Sequence, residues 1–180
     1  MALLILAHPD IEKSLANKTI IESLNQKNMD IEIRDIQKRY PDFKIDAKKE
    51  QEVLLRHDTI VFQFPFYWYG VPAILKQWYD VVLEYGFAYG STGDKLKGKN
   101  FVLSFTVGSS EKEYSVLGEH HFRIHEFCKS FEQIAYYTKM NYVEPFYFYG
   151  TSLNAGYSKE EIIRNAENQA ENLCSLLRTL

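Results

Sequence analysis

The first apolar run, Ala2-Leu-Leu-Ile-Leu-Ala7, contains no polar position, the pattern of a strand buried on both faces in a parallel sheet. From Ser14 to about Gln26 the apolar residues Leu15, Ile20, Ile21 and Leu24 recur at helical spacing behind a serine suited to cap a helix start. Asp30 to Arg34 alternates as an outer strand does, and Ala47 to Arg56 reads as a polar, amphipathic helix. Thr59 to Phe64 is a third strand stopped by Pro65. Val71 to Leu83 follows as a helix with Pro72 near its first turn, where a missing N–H costs nothing, and Asn100 to Phe105 is a fourth strand. Between them the Gly-rich stretch Gly86 to Gly98 reads as a long surface excursion. A helix from about His120 to Lys139 and a fifth strand from Tyr142 to Phe148 complete the pattern, and Ser158-Lys-Glu-Glu161 is a capping box opening the last helix.

Strand and helix thus alternate five times with no internal repeat, and 180 residues suit one domain, residues 1–180. The expectation is an α/β fold: a five-stranded parallel sheet with helices on both faces, because right-handed crossovers place them there. Such sheets bind ligands beyond the carboxyl ends of their strands, where strand order reverses. For the order 2-1-3-4-5 that crevice lies between strands 1 and 3 with strand 4 adjacent, which singles out loops 8–17, 65–70 and 106–114.

Composition narrows the partners. The net charge is −3 and no Lys/Arg cluster is dense enough for a duplex, so nucleic acid is not an expected partner. Cys128 and Cys174 lie in helical stretches without zinc-ligand spacing and read as buried reduced thiols, and no metal is expected. The run from Ala2 lacks a basic leader, and the region from Ile60 to Leu75 is broken by Gln63, Pro65, Gly70 and Pro72, so the expected location is a reducing cytoplasm. With 13 Tyr, 12 Phe and 2 Trp, aromatics reach 15% of the chain, a surplus that points to a flat-ligand pocket or an oligomer contact.

Each selected loop carries suitable chemistry. His8-Pro-Asp-Ile-Glu-Lys-Ser14-Leu-Ala-Asn17 runs into a helix whose free N–H groups form an anion cradle, with the Ser14 hydroxyl, the Asn17 amide and, where a phosphate raises its pKa, a His8 imidazolium as further donors. A Ser N-cap beside a structural histidine gives the same residues, and neither a Walker lysine motif nor G-x-G-x-x-G is present. Pro65-Phe-Tyr-Trp-Tyr-Gly-Val-Pro72 places four aromatics in succession after a buried strand, which a planar heteroaromatic ligand would cover. Phe64 and Tyr69 are candidates instead for core or dimer contacts. In Thr106-Val-Gly-Ser-Ser-Glu-Lys-Glu-Tyr114 small residues let N–H groups converge on negative charge. Tyr114 and His120 lie close by as proton donors, with His121 and His125 as rivals for the same role.

Ala7-His8-Pro9 with Ser14-x-x-Asn17, the block Phe64-Pro65-x-x-Trp68-x-x-x-Pro72-x-x-Leu75-Lys76-x-Trp78, Gly86-Phe-Ala-Tyr-Gly90 and Thr106-x-Gly108 together resemble the flavodoxin-like NAD(P)H:quinone oxidoreductases over nearly the whole chain. Tyr40-Pro-Asp-Phe43, Ile45-Asp46 and Glu50-Gln51 look like the bacterial branch that includes the ancillary proteins of glutathione-regulated potassium efflux. The resemblance implies FMN, with FAD as the other option. Its phosphate would lie at His8 and Ser14, Leu15, Ala16 and Asn17, and its ring against Pro65, Phe66, Tyr67 and Trp68 and against Thr106, Val107, Gly108 and Ser109. It further implies NAD(P)H as co-substrate, a quinone or similar acceptor, ping-pong hydride transfer, and Tyr114 with His120 as the proton-relay pair. A homodimer with Phe87 to Tyr89 in the pocket wall is also implied. Two positions depart from the family pattern: Thr-Thr-Gly-Gly is here Thr106-Val-Gly-Ser109, and a frequent Gln before the loop Trp is here Tyr67. Two other roles remain beside the enzyme. One is a flavin-binding regulatory subunit on a membrane potassium transporter. The other is a one-electron carrier, which usually presents a more acidic face than −3 provides.

Overall fold

The computed structural model describes residues 1–27 and 29–180. β1 (Ala2–Leu6), β2 (Ile31–Asp35), β3 (Thr59–Pro65) and β4 (Asn100–Thr106) form one parallel sheet with β5 (Asn141–Tyr142) and β6 (Phe146–Phe148), in the order β2-β1-β3-β4-β5 with β6 also paired to β4. The expected topology holds, with one change. Pro145 cannot donate to a ladder, so the fifth strand is split: β5 pairs Asn100 and Phe101, and β6 pairs Ser104 to Thr106.

Successive strand residues point to opposite faces, and both faces are apolar. Leu3, Ile5, Ile60, Phe62, Leu103 and Phe105 pack beneath α3 (Ala47–Leu55), α4 (Ala73–Val82) and α6 (Lys129–Tyr137). Leu4, Leu6, Val61 and Val102 pack beneath α1 (Leu15–Gln26) and α7 (Lys159–Leu177), which lie against each other. That two-sided burial is why β1 is an unbroken apolar run and β3 is apolar but for the buried Thr59 and Gln63. α7 opens with the capping box expected: Ser158 Oγ accepts from Glu161 N–H at 3.2 Å, and the Glu161 carboxylate accepts from Ser158 N–H at 3.2 Å.

Three further differences from the sequence pattern have local causes. A four-residue helix, α2 (Ile36–Arg39), follows β2 directly, because the Asp35 carboxylate accepts from Lys38 N–H at 2.9 Å and caps it. The expected helix from His120 is instead α5 (Ile124–Phe127) and α6, preceded by an irregular bend. His121 stands in the left-handed region at φ 60°, Glu126 reaches back to the Arg123 N–H at 2.7 Å to start α5, and the turn tightens at Cys128, whose N–H donates to the His125 carbonyl. The 86–98 excursion is anchored rather than free, with Ala88 and Leu96 buried in the core. Cys128 and Cys174 are free and buried, as expected.

Candidate active site

A cavity of about 780 Å³ opens at the carboxyl ends of β1, β3 and β4. The loops after these strands meet there, and His8, Ser14, Leu15, Ala16, Asn17, Pro65, Phe66, Tyr67, Thr106 and Gly108 all line it. Asn17 ties the walls together. Its amide N–H group donates to Thr106 Oγ1 at 3.0 Å and to Ser14 Oγ at 3.2 Å, while its oxygen accepts from the buried Gln63 amide at 2.7 Å. One side chain thereby fixes the start of α1 against the ends of β3 and β4.

That start leaves several donors unengaged. Ser14 Oγ accepts from Asn17 N–H at 3.1 Å, which leaves its own O–H free to donate outward. The Leu15 and Ala16 N–H groups, in the first turn of α1, have no backbone partner among the described residues. His8 is 8% exposed, and its Nδ1 accepts from the Asp10 N–H at 3.1 Å, which places the imidazole proton on Nε2 as a donor.

Without a phosphate beside it, the charged form of His8 is disfavoured. Burial lowers His8 below the ordinary histidine range and outweighs the opposing pull of Asp10 and Asp35. The unfolded chain therefore binds this proton more readily than the folded one. The group's stabilising contribution is complete above the ordinary value of ~6.5 and is lost as pH falls through the lowered one. Thermal melts taken from about pH 7.5 to about pH 5 should decline more steeply for the wild type than for His8→Gln, and parallel curves would show that burial does not perturb this group.

The aromatic loop divides its side chains. Phe66 enters the core and Tyr67 faces the cavity, 6.4 Å from the His8 ring in an edge-on arrangement. Tyr67 and Gly70 pair across a tight turn whose central residues, Trp68 and Tyr69, have φ of 46° and 62°. Both central positions of such a turn need positive φ, usually supplied by Asn or Gly. Trp68 is consequently thrown outward at 94% exposure and does not line the cavity of the single chain. Phe64 lies in the core, and Tyr69 stacks on Phe127 at 5.2 Å.

In the third loop the Val107 side chain is buried and its N–H donates to the Phe148 carbonyl at 3.0 Å, so neither faces a ligand. The Gly108 and Ser109 N–H groups carry no backbone partner among the described residues. Tyr114 and His120 come together, ring on ring, with centroids 4.1 Å apart. Burial, aided by Tyr69, raises the Tyr114 phenol above its ordinary value and keeps it protonated through the neutral range. Sequence reasoning missed Thr151, Ser152, Leu153 and Asn154, which form another wall of the cavity. The same rule of carboxyl strand ends, applied to the strand ending at Phe148, would have found them. Among the described residues no acidic, histidine or cysteine cluster could hold a metal, and no helix is long and apolar enough to cross a membrane.

Residues 1–173 match a family described by its flavodoxin-like fold. This chain belongs to that family. An NAD(P)H oxidoreductase of Bacillus subtilis strain 168, YrkL, is 43% identical over 171 residues, 95% of this chain and 96% of its own length. The glutathione-regulated potassium-efflux ancillary protein KefG of Cronobacter sakazakii is 38% identical over 147 residues, 82% of this chain and 79% of its own. Among solved structures, general stress protein 14 of Treponema denticola in complex with FMN superposes with a TM-score of 0.88 at 35% identity, covering 97% of this chain and 98% of that one. The flavodoxin-like membership and the oxidoreductase kinship agree with the resemblance carried by the sequence motifs.

Proposed function

We propose that this chain is an FMN-dependent NAD(P)H:quinone oxidoreductase working in the cytoplasm by a ping-pong sequence. The observation that carries the reading is the cluster of unengaged donors at His8, Ser14, Leu15 and Ala16 in a cavity of about 780 Å³ walled also by Pro65, Tyr67, Thr106 and Gly108. Bound there, a flavin supplies hydride acceptance and donation, and a single cavity serves NAD(P)H and acceptor in turn.

The protein's own groups position and stabilise. The Ser14 hydroxyl, the Leu15 and Ala16 N–H groups and His8 Nε2–H hold the phosphate. The free Gly108 and Ser109 N–H groups meet electron-rich atoms at the ring's polar edge. Tyr114 and His120 hold protons for the oxygen of a quinone as negative charge develops on it. The FMN-bound relative favours FMN over FAD. The exposed Trp68 and half-exposed Tyr67 favour a homodimer in which a second copy covers them, and a monomer by sedimentation would remove that part.

The test is the absorption spectrum of the purified protein, bleached by NAD(P)H and restored by a quinone, with chromatography of the released flavin deciding FMN against FAD. A colourless protein that takes up neither flavin overturns the reading. A phosphate beside His8 favours its charged form, so FMN should bind with uptake of a proton. Titration calorimetry in two buffers of different ionisation enthalpy should give different heats for FMN and equal heats for riboflavin, which lacks the phosphate. Equal heats for both would take His8 out of the phosphate site.

A second role is favoured by the KefG relationship: regulation of a membrane potassium transporter through protein contact. Rescue of transporter activity by a turnover-dead variant would establish it, and failure to co-purify would remove it.

A further inference from the structure

His120 is held at both ring nitrogens. Its Nε2 lies 3.1 Å from Ser109 Oγ and its Nδ1 3.3 Å from the Tyr69 hydroxyl, while the ring rests on Tyr114. A neutral imidazole offers one N–H and one in-plane lone pair, so one hydroxyl must donate and the other accept. The phenol is the stronger acid of the two and takes the donor role. Tyr69 O–H thus donates to Nδ1, and Nε2–H donates to Ser109 Oγ.

We propose that Ser109 and Tyr69 are positioning residues for His120, holding its ring on Tyr114 and its proton on Nε2, the nitrogen that faces the 106–109 loop. The catalytic consequence rests on the proposed role of His120 as a proton donor to the acceptor. Two features of the chain carry the inference. Ser109 places its hydroxyl 3.1 Å from Nε2, and its backbone is pinned because its carbonyl accepts from the Gly150 N–H at 3.0 Å. Tyr69 reaches the imidazole only through a turn in which two consecutive non-glycine residues are left-handed, each at a cost of about 1 kcal/mol. A strained turn that delivers a hydroxyl to a candidate proton donor is backbone strain located where chemistry uses it.

The test is long-range proton–nitrogen NMR of the histidine rings in protein free of flavin and substrate. The wild type should show His120 with its proton on Nε2. Ser109→Ala and Tyr69→Phe should each give a mixture of tautomers, and Ser109→Thr, which keeps the hydroxyl, should restore the wild-type pattern. In flavin-loaded protein Ser109→Ala should slow the acceptor half-reaction by about 10-fold, less than the loss of a direct donor. Wild-type tautomers in both Ser109→Ala and Tyr69→Phe would overturn the proposal. A changed tautomer with unchanged acceptor reduction would uphold the positioning and overturn the catalytic role of His120.

Discussion

Glu50→Ala is expected to cost the fold about 3–5 kcal/mol, because it removes the acceptor on which three buried or half-buried donors converge. Arg34 Nε and Nη2 reach the Glu50 carboxylate at 2.9 and 2.6 Å, the Tyr40 hydroxyl at 2.6 Å and Trp78 Nε1 at 3.0 Å. The network joins β2, the segment after α2, α3 and α4, and Glu50 itself is 1% exposed. Burial alone would push its carboxyl up, yet Arg34, Tyr40 and Trp78 together hold it below the usual carboxylate range. Burial and the same carboxylate push Tyr40 up to about 12. Without Glu50 a guanidinium remains in the interior, with Glu32 at 3.8 Å as its nearest acid. At this chain length the loss corresponds to a fall in melting temperature on the order of 10 °C. The double variant Arg34→Met, Glu50→Leu should recover part of it by removing the stranded charge. The pH dependence has a definite sign: a lowered carboxyl stabilises above its unfolded value and loses that contribution as pH falls through the folded one. Glu50→Ala should therefore flatten the acid side of the stability curve, and a melting temperature within a degree or so of wild type at neutral pH would refute the network's importance.

The second large effect is kinetic. Tyr114→Phe combined with His120→Ala should slow reduction of a quinone by roughly 10²-fold, the scale for losing a donor to developing negative charge. Reduction by NAD(P)H should be spared, since it requires no proton from this pair. Tyr114 carries a proton at neutral pH, as any phenol does, and burial only favours that form further. Stopped-flow measurement of the two half-reactions separates them, and unchanged acceptor kinetics in the double variant would remove Tyr114 and His120 from the mechanism.

The sheet order and the three cavity loops were legible because they rest on local signals: an unbroken apolar run for β1, a largely apolar one for β3, and caps at Ser14 and Ser158. Polar groups that act at long range were not. Glu50 sits in a helix that reads as polar and amphipathic, and only the fold brings Arg34, sixteen positions away, onto it. The bend at 120–123 was hidden because helical spacing continues through it, while His121 breaks it by adopting positive φ. The aromatic run 66–69 announced a site but not which ring would face inward, a division set by the turn at Trp68 and Tyr69.

The two thiols of this chain are shielded, Cys128 at 4% and Cys174 at 2% exposure, and burial pushes the Cys128 thiol up to about 11. Native thiolate is therefore scarce at neutral pH. A Trp68→Cys substitution at the crown of the outward turn would supply one fast-reacting handle against a silent background. A maleimide dye attached there would make the protein its own reporter of whatever comes to rest on that corner.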